Sequence, residues 1–152
     1  MDASAAPCTQ YSKAYEFSKV TSWLDRNGDI NATHMTASGH TLLMVATMSD
    51  HDALVQELLQ RGAKVDMKVN GKAALHLAAT MGHPKCMRLL LDYGADPNLR
   101  VDIDDAEFTE NDGLSALEII ERGVAATGMK PRHYDCLRML QEAVGSGSRM
   151  GR

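Results

Sequence analysis

Two stretches of this 152-residue chain can be laid over one another residue by residue. GHTLLMVATMSDHDALVQELLQRGAKVD begins at Gly39, and GKAALHLAATMGHPKCMRLLLDYGADPN begins at Gly71. The leading glycines, Gly39 and Gly71, are 32 residues apart, as are the trailing ones, Gly62 and Gly94. The leucine pair Leu58-Leu59 keeps its place as Leu90-Leu91. Self-similarity at this period marks a stack of small units that bury their apolar faces against one another.

Each unit reads as two short helices. Ala74 to Thr80 is rich in Ala and Leu and suits a helix. Gly82 stops it, and His83-Pro84 restarts the chain with Pro84 in a first turn, where a missing N–H costs nothing. Pro84 to Asp92 then carries Met87, Leu90 and Leu91 at helical spacing, and Gly94 supplies a left-handed C-terminal stop. The unit before it repeats the plan with Leu42 to Met48, Asp52 to Gln60 and Gly62. Ser49 or Asp50 is the expected N-cap of its second helix.

The segment from Gly71 to Asn98 resembles an ankyrin repeat over nearly its whole length. The family opening, Gly, any residue, then Thr-Pro-Leu-His, appears as Gly71, Lys72, Ala73, Ala74, Leu75 and His76, departing at Ala73 and Ala74. The unit from Gly39 keeps Thr41 and Leu43 and has Met44 in place of His. The Gly-Ala-Asp-x-Asn ending is intact at Gly94, Ala95, Asp96 and Asn98 and weaker at Gly62, Ala63 and Asp66. Upstream, VTSWLDRNGDIN matches VQELLQRGAKVD, with Asn27 in the left-handed position and a first helix expected within Pro7 to Ala14. Downstream, GLSALEII from Gly113 repeats the opening, and HYDCLRMLQEA from His133 repeats the second helix, Cys136 matching Cys86 and Arg138 matching Arg88. The resemblance implies an all-α solenoid of about four helix-turn-helix repeats, the outer two irregular. Its expected domain covers 1–144, with repeats at 5–32, 36–68, 69–100 and 110–144, an acidic insertion at 101–112 and a flexible Gly/Ser-rich tail at 145–152.

Two insertions break the period. VDIDDAEFTEND, Val101 to Asp112, holds six carboxylates with no Lys or Arg. It is either a finger attracting a basic partner surface or a solvated loop. A calcium loop is disfavoured, because the turn Gly and the terminal bidentate Glu are missing. RGVAATGMKP, Arg122 to Pro131, is read as a long loop within the last repeat, marked by Gly123, Gly128 and Pro131.

A formal charge of -4 and a pI near 5.8 argue against a nucleic-acid-coating protein. No apolar run approaches the roughly 18 residues of a membrane span, and Met1 to Gln10 resembles no secretory signal, so membrane insertion is not expected. Three widely spaced cysteines, Cys8, Cys86 and Cys136, make no disulfide framework and suit a reducing compartment, cytoplasmic or nuclear. They also lack the paired spacing of a zinc site, and no Gly-rich phosphate loop occurs. No catalytic residue, metal or cofactor is therefore expected. His76 is assigned, by the resemblance, to hydrogen-bonding between adjacent repeats, since no nucleophile motif accompanies it. Cys86 and Cys136 are expected to fill the core.

The resemblance implies a non-catalytic module or adaptor that binds another protein through a concave face and inter-repeat fingers. Its variable contact positions fall on Ala37, Ser38, His40 and Met48; on Val69, Asn70, Lys72, Thr80 and Met81; and on Asn111, Asp112 and Leu114. Asp102, Asp104, Asp105 and Glu107 of the acidic insertion would add contacts to a basic partner. Met44 is either a core gap-filler or a surface thioether, while Met48 and Met81 are surface candidates. The alternative function is an accessory subunit docked in a larger assembly. The protein is expected as a monomer or as one subunit of a hetero-complex.

Overall fold

A computed structural model describes residues 13–33, 39–102, 111–127 and 130–150. These form seven helices: α1 (Lys13–Asp25), α2 (Leu42–Met48), α3 (Asp52–Gln60), α4 (Ala74–Met81), α5 (Pro84–Asp92), α6 (Ala116–Thr127) and α7 (Pro131–Met150). The first helices form one layer, α2 on α4 and α4 on α6. The second helices form another, α3 on α5 and α5 on α7, each paired with the first helix of its own repeat. One continuous core runs between the layers, through Leu43, Leu58, Leu75, Met87, Leu90, Ile120 and Leu140. Cys86 and Cys136 are fully buried in it, as is Met44. Most of the segment expected to hold the first helix of the first repeat lies outside the described residues. α1 covers the second-helix position and sends Val20 into the core.

The second helices of the first three repeats stop in the same way. Asn27, Gly62 and Gly94 have φ of 66°, 89° and 89°. At each, the backbone N–H groups bond back across the last turn: Gly28 to Trp23 and Asn27 to Leu24, Ala63 to Leu58 and Gly62 to Leu59, Ala95 to Leu90 and Gly94 to Leu91. This paired pattern needs a left-handed residue, which Gly adopts freely and Asn tolerates. In the fourth repeat the same register falls on Val144, whose β-branch disfavours positive φ. Accordingly α7 does not stop there and continues to Met150, through the segment expected as a flexible tail. Extending an existing helix costs far less than starting one, so even Gly145 and Gly147 are carried along. Val144→Gly should restore the stop. The Cα chemical shifts of 146–150 are expected to move from helical toward coil values while those of 136–140 stay helical; unchanged shifts would refute this account.

Two further expectations are corrected. The long loop at Arg122 to Pro131 is absent in its first part, because α6 runs to Thr127. Gly123 costs a helix only about 1 kcal/mol relative to Ala, and the flanking helical residues carry it. The N-cap of α3 is neither Ser49 nor Asp50 but His51, whose Nδ1 accepts the Leu54 N–H at 3.3 Å. Asp50 instead takes φ 53°, the left-handed turn position that Gly82 holds one repeat later.

Candidate functional site

The links between repeats are tied across the array by side chains at repeating positions. Asn31 Oδ1 accepts the Lys64 N–H at 2.9 Å, and the Asp66 carboxylate accepts the Asp96 N–H at 3.2 Å, the same contact one repeat on. Successive first helices place Met44, His76 and Glu118 at one register position. Met44 is core. His76 accepts the Ala73 N–H on Nδ1 at 3.0 Å and donates from Nε2 to the Leu99 carbonyl at 2.8 Å. Accepting on Nδ1 puts the proton on Nε2, so the imidazole is neutral and joins its own helix start to the next link. Burial holds its pKa below the usual histidine value, against the opposing pull of the Leu99 bond. Glu118 closes a capping box with Ser115, accepting the Ser115 N–H at 2.7 Å, and takes both guanidinium nitrogens of Arg100 at 3.0 and 3.3 Å. The Ser115 N–H, with Arg100 adding to it, holds the Glu118 carboxyl below the ordinary carboxylate range.

The links themselves form a row of fingers. Val69 and Lys72 exchange backbone bonds of 2.9 and 3.1 Å around Asn70 and Gly71, both at positive φ. That is a two-residue hairpin of the kind Asn-Gly favours. The preceding link is pinned by a Thr33–Thr41 bridge and the following one by Arg100–Ser115. The Asp102 N–H donates to the Gly71 carbonyl at 2.9 Å, so one finger rests on the next. A β-carbon on Gly71 would lie 3.1 Å from the Asp102 carbonyl oxygen. The acidic insertion is closed at its base by Val101 N–H to Leu114 O and Gly113 N–H to Val101 O, at 2.9 and 3.0 Å.

The opposite ends of the first helices carry exposed thioethers, Met48 at 37% and Met81 at 47% exposure. Beside them stand three histidines in register, each at the start of a second helix. His51 stacks on Phe17 with centroids 6.0 Å apart. His83 is buried with Nδ1 3.4 Å from Asp50 Oδ1. The His133 ring lies over Gly82, where a β-carbon would meet Cε1 at 2.7 Å. This contact brings the start of α7, with Tyr134 at 54% exposure, to the end of α4. Sequence reasoning missed Tyr134; its signal is a register match to Pro84, which opens the preceding second helix. Burial pushes the Cys136 thiol up to about 11, so it is protonated and unsuited to nucleophilic attack near neutral pH. Among the described residues no group of three His, Cys, Asp or Glu is placed to hold a metal ion, and no helix is long and apolar enough to cross a membrane.

A family model described as ankyrin repeats (3 copies) matches residues 11–101. The chain belongs to the ankyrin-repeat family. Among its relatives, mouse NF-kappa-B inhibitor delta is 37% identical over 109 residues, covering 66% of this chain and 33% of that protein. Mouse ankyrin repeat and SOCS box protein 16 is 39% identical over 57 residues, 38% of this chain and 13% of the relative. A putative ankyrin repeat-containing protein of Treponema pallidum is 34% identical over 97 residues, 57% of this chain and 33% of the relative. The chain thus spans a third or less of the length of these relatives. Ankyrin repeats are in general protein–protein interaction modules and typically not catalysts.

Within this ankyrin array the sequence-expected contact residues fall into two rows. Val69, Asn70 and Lys72 sit on the hairpin between the second and third repeats, and Asn111, Asp112 and Leu114 lie in the turn that leads into α6. His40 lies just ahead of α2 and is half-buried. Met48, Thr80 and Met81 are exposed at the helix ends. Thr80 spends its hydroxyl on the His76 carbonyl, at 2.9 Å. Asp102 is exposed but ion-paired with Lys68 of the neighbouring hairpin, a cation from outside the acidic segment that compensates it. Ala37, Ser38, Asp104, Asp105 and Glu107 lie outside the described residues.

Proposed function

We propose that this ankyrin array binds another protein, using the finger row and the ends of the first helices as one surface. The observation that carries the reading is the pair Met48 and Met81. They end successive first helices, on neighbouring repeats, both exposed and neither part of the core cluster. Thioether side chains adapt to varied partner shapes. The similarity to a protein named as an inhibitor of NF-kappa-B supports a protein partner rather than a small molecule. The experiment places a photo-crosslinking residue at 48 or at 81 and compares it with one at Gln60 on the second-helix layer. One partner captured from both 48 and 81, and lost on Met48→Lys with Met81→Lys, supports the surface. Capture from 60 alone would overturn it.

The acidic finger adds an electrostatic term to that proposal. Its partner surface is basic, and attraction over a Debye length of about 8 Å speeds encounter more than it slows escape. Changing Asp102, Asp104, Asp105 and Glu107 to Asn or Gln is expected to lower the association rate at low salt. The dissociation rate should change little, and the difference should fade at high salt. An association rate that ignores the change at low salt would leave the finger a solvated loop.

A further inference from the structure

The dipeptide Asn-Gly occurs twice, at Asn27-Gly28 and at Asn70-Gly71. In both the asparagine is exposed and held at positive φ, 66° and 50°. Asn-Gly leaves the asparagine side chain open to attack by the next backbone nitrogen, because glycine has no β-carbon to block the approach. The two sites differ in the state of that nitrogen. The Gly28 N–H donates to the Trp23 carbonyl at 3.1 Å, within the stop that ends α1. Gly28 also packs against the Trp23 ring, which a β-carbon would meet at 2.5 Å. At the other site the hairpin bonds run between Val69 and Lys72, and among the described residues the Gly71 N–H donates no backbone bond. The central residues of a two-residue turn stand outside the ladder, so their N–H groups are left to solvent.

We propose that Asn70 is a site of spontaneous deamidation, while Asn27, with the same neighbour, is protected by the fold. The Gly71 nitrogen attacks Asn70 Cγ and gives its proton to solvent hydroxide. The new N–C bond closes a succinimide ring, and the side-chain amide leaves as ammonia after taking a proton from water, which restores the hydroxide. A second water opens the ring. Breaking the bond from nitrogen to Cγ leaves aspartate. Breaking the bond from nitrogen to the main-chain carbonyl leaves isoaspartate, whose backbone runs through Cβ and Cγ. Closing the ring rotates the asparagine out of the left-handed well, so the rate follows the ease of local opening. At Asn70 this undoes a two-bond hairpin in a link between helices. At Asn27 it breaks the last-turn bonds of Asn27 and Gly28 and lifts Gly28 off a Trp23 ring that packs on the core. The product alters the finger row. It places a carboxylate between Val69 and Lys72, and in the isoaspartyl form it adds a methylene to the backbone ahead of Gly71. Gly71 O accepts the Asp102 N–H at 2.9 Å, in a seat where even a β-carbon would lie 3.1 Å from the Asp102 carbonyl oxygen. A lengthened backbone does not fit that seat, so the two fingers part.

The test needs no partner, so it stands apart from the crosslinking at 48 and 81. The intact protein is incubated at mildly alkaline pH, and both asparagines are followed by peptide mass spectrometry, with electron-transfer fragmentation to tell isoaspartate from aspartate. A parallel sample in guanidinium chloride gives the intrinsic rates, expected within about threefold of each other because only the local sequence then acts. In the native protein Asn70 should convert at least about tenfold faster than Asn27, the contrast between opening a surface finger and unwinding a packed helix end. In the isoaspartyl form the Asp102 amide should exchange with deuterated water at least about tenfold faster than in fresh protein. A native ratio no different from the unfolded one, faster loss at Asn27, no detectable conversion of native Asn70, or an Asp102 amide equally protected in both forms would each overturn the proposal.

Discussion

Leu75→Ala is expected to destabilise the protein by roughly 2–5 kcal/mol, the range for deleting a fully buried aliphatic side chain whose surroundings relax only in part. Leu75 is 1% exposed on α4, which packs against both α2 and α6. A site enclosed on both sides has little room to collapse into the space left behind. Met81→Ala, on the same helix but in solvent, serves as the control and should change stability by no more than about 0.5 kcal/mol. Denaturant unfolding of the two variants measures the contrast. A loss below about 1 kcal/mol for Leu75→Ala would mean that the core does not run through this position.

His76→Leu is expected to cost roughly 2–4 kcal/mol, although it keeps an apolar side chain in the same place. It leaves the Ala73 N–H and the Leu99 carbonyl without their partner, and each unsatisfied buried group costs about 1–3 kcal/mol. The same ring confers a pH dependence whose direction follows from its environment. Burial lowers its folded pKa, so below about pH 6.5 the unfolded chain binds a proton that the folded chain refuses. The stability contributed by neutral His76 is complete above that pH. It is lost progressively as the pH falls from there to the lowered folded value. Wild-type and variant stabilities should therefore converge on acidification. A gap that stays constant between about pH 7.5 and 5 would show that the ring does not titrate with folding.

The parts of the fold legible in the sequence are those where one residue type meets one backbone demand. Asn27 could be placed as a helix stop because it stands where Gly62 and Gly94 stand, and positive φ admits few residues. His76 could be assigned to a bridge because the repeat register carried it there. The errors arose where a local signal met a stronger neighbour. Gly123 reads as punctuation, but Val124, Ala125 and Ala126 behind it continue the helix. His51 is a poor cap by frequency, yet its Nδ1 can accept as an Asp oxygen does once the ring is neutral. The length of α7 was readable in principle: Val144 at the stop register is an absent signal, and absences are easily passed over. For the candidate site, the register placed Met48 and Met81 correctly at the surface. It gave no sign of the Lys68–Asp102 pair, because that contact joins residues from successive fingers.

The occupants of the shared register, Met44, His76 and Glu118, make the units non-interchangeable. Each junction has its own chemistry: apolar filling at the first, an imidazole meeting a carbonyl at the second, a carboxylate meeting Arg100 at the third. A chain with the units permuted would keep every helix and every turn. It would nevertheless strand the Glu118 carboxylate away from the Arg100 guanidinium. Neighbour recognition is thus written into the joints, so this array has an internal order as well as a length, and only adjacent, correctly sequenced units would be expected to cooperate on unfolding.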